Sequence, residues 1–295
     1  MVYGVFIMYK CNLCNYYGDM KVISKIEDRN ILLCPNCKLQ FMYPQTSDEE
    51  LSKIYSNKNY PTCSFDNGAE ENPITLMKRK TFNRILKKIL PYCSNGNLLD
   101  IGCSSGLLLE EAKLIGFESY GIEISENASS IAKKRIGSER IYNGTLETSN
   151  FNKNFFNVIT MIDVIEHVRN PIETLKYARN ILNNTGGGYI LITTPNTYSF
   201  TNKIMGSKWT HYNSEHLFYF NKLSIKKLCD ICGYELIYCS SFAKTMRLDY
   251  MSFQMKEHCH SFVSNLMNIV SNIPIIGKIN FPIFTGDFIV ILKIL

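Results

Sequence analysis

The sequence predicts a doubly wound α/β domain with a mostly parallel sheet of seven strands, preceded by a small module built on four cysteines. Three observations predict it. From Asn97 onward, apolar runs of strand length alternate with amphipathic helical stretches, the pattern of a parallel sheet. Leu98 to Gly106 reads LLDIGCSSG, an apolar strand running into a glycine-bearing turn, and the next apolar run ends on Glu123. Near the amino terminus, Cys11-x-x-Cys14 is repeated as Cys34-x-x-Cys37. With 295 residues and 45% hydrophobic content, the chain can bury a sizeable core and has room for two units.

The amino-terminal unit comes first. Each C-x-x-C pair can form a tight knuckle with both sulfurs on one side of a turn. Two knuckles supply the four-sulfur tetrahedron that zinc prefers. Val22-Ile23 and Ile31-Leu32-Leu33 supply strand-like runs for a short hairpin between them. So small a core gains its stability from metal. The expectation is a zinc-ribbon-like module over residues 1–45, with structural zinc on Cys11, Cys14, Cys34 and Cys37. Four thiolate ligands leave no open position for catalysis. Paired cysteines beside an α/β pattern favour a reducing compartment, hence a cytoplasmic location, over a disulfide scaffold. Met1 to Met8 is apolar but lacks a basic start and a small-residue cleavage site. No run of about 18 apolar residues occurs, so no transmembrane segment is expected. The formal charge of +6 is modest and calls for no nucleic-acid partner.

Residues 46–90 read as a linker and leading helices. Ser47 followed by Asp48, Glu49 and Glu50 has the form of a capped helix start. Tyr55, Tyr60 and Phe65 then punctuate a polar, Asn-rich stretch; such aromatics either close over a ligand or pack on the sheet. Leu76 to Leu90 is an amphipathic helix stopped by Pro91. Its cluster of Lys78, Arg79, Lys80, Arg84, Lys87 and Lys88 reads as a solvated face. The main domain spans 91–295, with strands expected near 97–101, 119–124, 140–143, 156–162, 188–194, 234–240 and 286–294. The last is nearly all apolar, as buried strands are.

The loop after the first of these strands carries the binding chemistry. Open α/β sheets bind ligands at the carboxyl ends of their strands. Gly102 and Gly106 let the backbone approach a ligand where a Cβ would collide, and the first amides of a helix beginning near Leu107 face the same spot. Glu123 can accept hydrogen bonds from both hydroxyls of a ribose. A dinucleotide fingerprint fails, because position 104 is Ser and position 107 is Leu, and no Gly-Lys-Ser/Thr phosphate loop is present. The stretch resembles motif I of the class I S-adenosylmethionine (SAM) methyltransferases, D-x-G-x-G-x-G. Asp100, Gly102 and Gly106 match it, and Ser104 stands where the middle glycine is usual. The resemblance implies a Rossmann-like methyltransferase sheet with SAM as cofactor. It implies that Asp100 orders the loop, that Gly102, Cys103, Ser104 and Gly106 line the methionyl part, and that Glu123 with neighbouring Ile124 holds the ribose. It also puts Leu146 near the adenine and Asp163 at the pocket's edge.

Two further stretches extend the resemblance. Phe156 to Pro171 reads FNVITMIDVIEHVRNP, an apolar run giving way to Asp163, Glu166 and His167; GGG then precedes the strand that ends in TTPN. These resemble the "EHV-x-(D/N)-P" and "GG…TPN" patterns of the branch that contains quinone O-methyltransferases and many polysaccharide and sugar methyltransferases. In the quinone enzymes the acid-x-x-Glu-His arrangement goes with a divalent metal, which implies a second metal at Asp163, Glu166 and His167. The alternative stays open that His167 is the general base, since its ordinary pKa lies near neutrality. Trp209 to Phe220 reads WTHYNSEHLFYF and resembles the "W…EHLYYF" stretch of the polysaccharide-type members. It is the expected acceptor wall, and His211 or His216 rivals His167 as base.

Other clusters weigh less. Cys229 and Cys232 sit in an amphipathic helix ending at Gly233 and read as buried apolar thiols. His258-Cys259-His260 reads as a surface or packing feature. The apolar stretch from Phe262 to Phe284 reads as a cover over the cleft, with peripheral contact to a lipid-linked acceptor as its alternative. The function expected is SAM-dependent O-methylation of a sugar, a glycan precursor or a related small molecule. The rival readings are a sugar C-methyltransferase, an RNA methyltransferase gripping nucleic acid with the zinc module, and a non-catalytic methyltransferase-fold binding protein.

Overall fold

The structure is a computed structural model and describes residues 5–56, 73–247, 250 and 279–295. The amino-terminal segment is an antiparallel meander of β1 (Phe6–Lys10), β2 (Tyr17–Ile26), β3 (Arg29–Leu33) and β4 (Gln40–Tyr43). The cysteine pairs lie between β1 and β2 and between β3 and β4. The two knuckles are built alike: Asn15 N donates to Cys11 O, and Lys38 N donates to Cys34 O. Asn15 and Lys38 take left-handed φ angles of 59° and 61°, which turn the chain back under each pair. Helix α1 (Asp48–Ser56) starts as its residues predict. Glu50 N donates to Ser47 Oγ at 3.2 Å, and Ser47 N donates to Glu50 Oε2 at 2.8 Å, a reciprocal capping box.

Helix α2 (Pro73–Ile89) buries Met77, Ile85, Leu86 and Ile89. Its basic cluster is not simply a solvated face. Arg79 forks onto Glu110 and Glu111 of α3 (Leu107–Leu114), and Arg84 and Lys88 lie over the rings of Phe242 and Tyr238. The period-3.6 pattern showed which face was apolar, but not that a neighbouring helix would offer two carboxylates to the other.

The main sheet contains β5 (Gly96–Ile101), β6 (Phe117–Glu123), β7 (Ile141–Asn143), β8 (Val158–Ile162), β9 (Tyr189–Pro195), β11 (Tyr234–Ser241) and β14 (Asp287–Ile294). Its order is β11-β14-β9-β8-β5-β6-β7, mostly parallel, with β14 running antiparallel to both its neighbours. Helices α3, α4 (Glu126–Ile136), α5 (Pro171–Ile181) and α7 (Lys222–Cys232) connect and cover the strands. Asn170 caps α5, and Gly233 ends α7 in the left-handed conformation, as its position predicts. Cys229 and Cys232 are buried in that helix. From β5 the chain winds outward through β6 and β7, then returns to β8 on the opposite side of β5. That reversal opens a crevice at the carboxyl ends of β5 and β8.

Beyond β9, α6 (Phe200–Met205) leads to β10 (Phe218–Tyr219), which pairs with β4 rather than with the main sheet. The strands β12 (Lys244–Arg247) and β13 (Asn280–Ile283) form a ribbon. Among the described residues no helix is long and apolar enough to cross a membrane. Tyr60, Phe65, His258-Cys259-His260 and most of Phe262–Phe284 lie outside the described residues.

Candidate functional site

The loop joining β5 to α3 takes its shape from three left-handed residues: Gly102 (φ 76°), Ser104 (φ 48°) and Gly106 (φ 79°). A side chain in that region costs on the order of 1 kcal/mol, so Ser104 stands where glycine would sit without strain. Both glycines are packed closely against protein. A Cβ on Gly102 would come 2.7 Å from Val164 Cγ2, and one on Gly106 would come 3.3 Å from Ala132 Cα of α4. Helix and loop packing therefore already require glycine at both positions. Gly102 N and Cys103 N both donate to Ile122 O, and Cys103 O accepts from Gly106 N, so the Cys103 backbone is spent within the fold. The Cys103 side chain is buried against Gly121.

Glu123 ends β6 beside this loop. Its Oε2 accepts from Ser104 N and its Oε1 from Ser125 N, each at 2.8 Å. A carboxylate has about four acceptor sites, and these two amides fix its orientation. Burial raises its pKa, against the pull of the amides of Ser125 and Ser104. Asp100 lies deeper, with Thr160 Oγ1 donating to its Oδ1 at 2.6 Å. Burial pushes the Asp100 carboxyl up to about 7, with Thr160 opposing and Glu123 adding. Ile124 is exposed next to Glu123, while Leu146 is buried.

Ionisable side chains collect at the carboxyl end of β8. Asp163 is left-handed (φ 55°), and Thr193 Oγ1 donates to its Oδ1 at 2.9 Å. Lys244 Nζ donates to Asp163 Oδ2 at 2.8 Å and lies 3.2 Å from Asp287 Oδ2. Burial would lower the Lys244 pKa, but the two carboxylates outweigh it and raise it. Burial would likewise raise Asp287, yet Lys244 and His211 hold it below its usual range. Sequence reasoning missed both Lys244 and Asp287. The available signal was an acid opening an otherwise apolar strand.

The three histidines form a row. His211 Nε2 lies 3.2 Å from Thr285 O and 4.0 Å from Asp287 Oδ1. Its ring stacks on His216 at 6.2 Å, and His216 meets His167 edge-on at 4.7 Å. His167 Nδ1 lies 3.1 Å from Glu215 O. Glu166 is 1% exposed, and neither carboxylate oxygen has a hydrogen-bond partner among the described residues. Burial first, then Asp163, pushes its pKa well above the carboxylate range. Ligand atoms of Glu166, His167 and His216 lie within 4.8 Å of one another, a set able to hold a metal ion. This corrects the set expected from the sequence: Asp163 is engaged by Lys244, and His216 stands in its place. An orphaned carboxylate between two imidazoles fits such an ion.

Burial lowers the His167 pKa to about 4, and lowers those of His211 and His216 as well. A histidine with a depressed folded-state pKa stabilises the native protein above its unfolded value near 6.5, and that stability is lost as the pH falls towards 4. His167→Gln should therefore narrow its stability deficit relative to wild type by about 2 kcal/mol between pH 7.5 and pH 5. Urea unfolding of both proteins at the two pH values measures it; a constant difference would show that His167 is not buried in this way.

The four cysteines also come together. Cys11 and Cys37 sulfurs lie 3.6 Å apart, as do those of Cys14 and Cys34, and all four fall within 4.8 Å. Zn–S bonds of about 2.3 Å require tetrahedral edges of roughly 3.8 Å, so the residues fit zinc. A disulfide needs about 2.05 Å. The Cys11–Cys37 hydrogen bond lowers the Cys11 thiol to about 5 and raises that of Cys37, and burial raises Cys34.

Comparison with known proteins agrees with this fold. The family profile described as "Methyltransferase domain" matches residues 76–239. The chain is similar to a ubiquinone biosynthesis O-methyltransferase of Cereibacter sphaeroides, 32% identical over 142 residues, covering 46% of this chain and 56% of the relative. A second relative of that name, from Nitrosomonas europaea, is 23% identical over 166 residues, covering 55% of this chain and 68% of the relative. The chain thus spans little more than half the length of the first of these. Among solved structures it resembles magnesium protoporphyrin IX methyltransferase from Synechocystis PCC 6803 with bound SAH. The TM-score is 0.54 at 9% identity, over 84% of this chain and 100% of that one. That likeness concerns the fold.

Proposed function

Because the chain belongs to the methyltransferase-domain family, we propose that it transfers a methyl group from SAM to a hydroxyl oxygen of a small-molecule acceptor. The observation that carries this reading is the Glu123 carboxylate, aimed by Ser104 and Ser125 at the crevice where the sheet's strand order reverses. A buried carboxylate suits the two ribose hydroxyls. Asp100, Gly102, Ser104, Gly106, Ile124 and Leu146 complete the proposed cofactor side.

The sulfonium of SAM is already activated, so the protein's work is to align oxygen, methyl carbon and sulfur and to take up one proton. Of the three histidines, His211 suits the base best. It is partly exposed, and Asp287 4.0 Å away would stabilise the imidazolium that forms. Lys244 keeps Asp287 ionised for that role. A divalent ion on Glu166, His167 and His216 would supply Lewis acidity to a bound hydroxyl. Structural zinc on the four cysteines is part of the same proposal. So is a reducing, cytoplasmic setting, supported by the free thiols of the described cysteines.

Buried imidazoles are weak bases, which favours an acidic, phenolic hydroxyl; the names of the quinone-pathway relatives point the same way. The second acceptor reading, a sugar or glycan precursor, rests on the Trp209–Phe220 stretch. Calorimetry with S-adenosylhomocysteine, followed by methyl-transfer assays on a catechol and on sugar nucleotides, separates these. Binding is expected in the micromolar range, and His211→Ala should lower turnover by about 10²-fold or more while cofactor affinity is kept. No binding at millimolar cofactor would sink the proposal.

A further inference from the structure

The amino-terminal sheet is not closed by its own residues. Its fifth strand is β10, with Phe218 opposite Phe41 and Tyr219 opposite Gln40. The segment leading into that strand carries His211 and His216, so the module is bonded to the histidine-bearing loop along its length. Tyr212 Oη donates to Gln40 Oε1 at 2.8 Å, beside His211. Thr46 Oγ1 donates to Ser214 O at 2.5 Å, two residues before His216. Met42 N donates to Leu217 O at 3.0 Å, immediately after it.

The far end of the loop is tied to a cysteine knuckle. Asn221 Nδ2 donates at 2.7 Å to the carbonyl of Lys38, the residue that follows Cys37 and turns back onto Cys34. The same Asn221 caps α7 and donates to Thr197 Oγ1 after β9. Trp209 and Tyr219 share a buried cluster with Ile31 and Met42. The cofactor loop is held differently: Glu123 by Ser104 and Ser125, and the Gly102 and Cys103 amides by Ile122, all within the main domain.

We propose that the four-cysteine module is the frame of the acceptor wall, and that Gln40 and Thr46 are positioning residues for His211 and His216. This rests on the reading of residues 209–221 as the acceptor side of a methyltransferase. The module then sets the geometry of the imidazoles and leaves cofactor affinity alone. Loosening the cysteine knuckle reaches the same histidines through Lys38 and Asn221.

The test uses the full chain with Gln40→Leu, Thr46→Val and Thr46→Ser, each checked for an intact thermal transition. Amide hydrogen exchange over 209–221 should quicken tenfold or more in Gln40→Leu and Thr46→Val and return to wild type in Thr46→Ser. The dissociation constant for S-adenosylhomocysteine should stay within twofold. Cys34→Ser with Cys37→Ser, which opens the cysteine knuckle alone, should reproduce the pattern. Unchanged exchange in Gln40→Leu and Thr46→Val would overturn the proposal. So would a loss of cofactor affinity that tracks the exchange rate. A wild type that fails to bind S-adenosylhomocysteine would sink the methyltransferase reading, while exchange and its rescue by Thr46→Ser still decide the coupling.

Discussion

Replacing Glu123 by Gln is expected to weaken S-adenosylhomocysteine binding by about two orders of magnitude. The carboxylate accepts from Ser104 N and Ser125 N at 2.8 Å each, and in the proposed function it also accepts from the ribose. A carboxamide has one oxygen and one NH₂ group. One of the two backbone donors then faces another donor at a buried position, and one ribose hydroxyl loses its acceptor. Hydrogen bonds to a charged group contribute roughly 1.5–3 kcal/mol each. A net loss of about 3 kcal/mol corresponds to a factor of about 10² in affinity. Calorimetry on wild type and variant measures it, with a thermal melt to confirm folding. A dissociation constant within threefold of wild type would remove Glu123 from the cofactor site, and with it the main support for the ribose assignment.

The second large effect concerns the thiolates. Wild-type protein purified under reducing conditions should hold one zinc ion per chain, and Cys34→Ser with Cys37→Ser should hold none. Zinc contributes on the order of 10–16 kcal/mol to isolated small modules. Here the module also leans on β10 and on a shared core, so part of its order survives. A remaining deficit of several kcal/mol corresponds to a fall in melting temperature of roughly 10 °C for a domain of this size. Metal analysis and a melt decide it. A metal-free wild type with an unaltered melt in the double variant would show four buried thiols rather than a metal centre.

Much of the main sheet was legible because its signals are local. Strand positions followed from apolar runs bounded by turns: 234–240 was expected and Tyr234–Ser241 observed, 286–294 expected and Asp287–Ile294 observed. The loop after β5 and the carboxylate ending β6 were legible for the same reason, since spacing in sequence becomes spacing in space over one βαβ unit. The capping box at Ser47 and Glu50 needs only four consecutive residues.

What escaped the sequence was each pairing between distant segments. Lys244 meets Asp163 and Asp287 only because β14 inserts antiparallel between β9 and β11. Asp163 looked like a metal ligand, and tertiary packing gave it an ammonium instead. Arg79 looked solvated until α3 presented two acids. No periodicity in residues 216–220 marks Phe218 and Tyr219 as the fifth strand of a sheet that begins at Phe6.

The sequence by itself determined the fold class, the strand order's raw material and the glycine-bearing loop after β5, because hydrophobic period, glycine placement and capping act over a few residues. Only the tertiary structure decided which ionisable groups face one another, and that the four-cysteine module backs the histidine loop. Charge pairing and edge-strand pairing depend on distances in space, and residues far apart in the chain carry no local mark of a partner that folding brings within 3 Å.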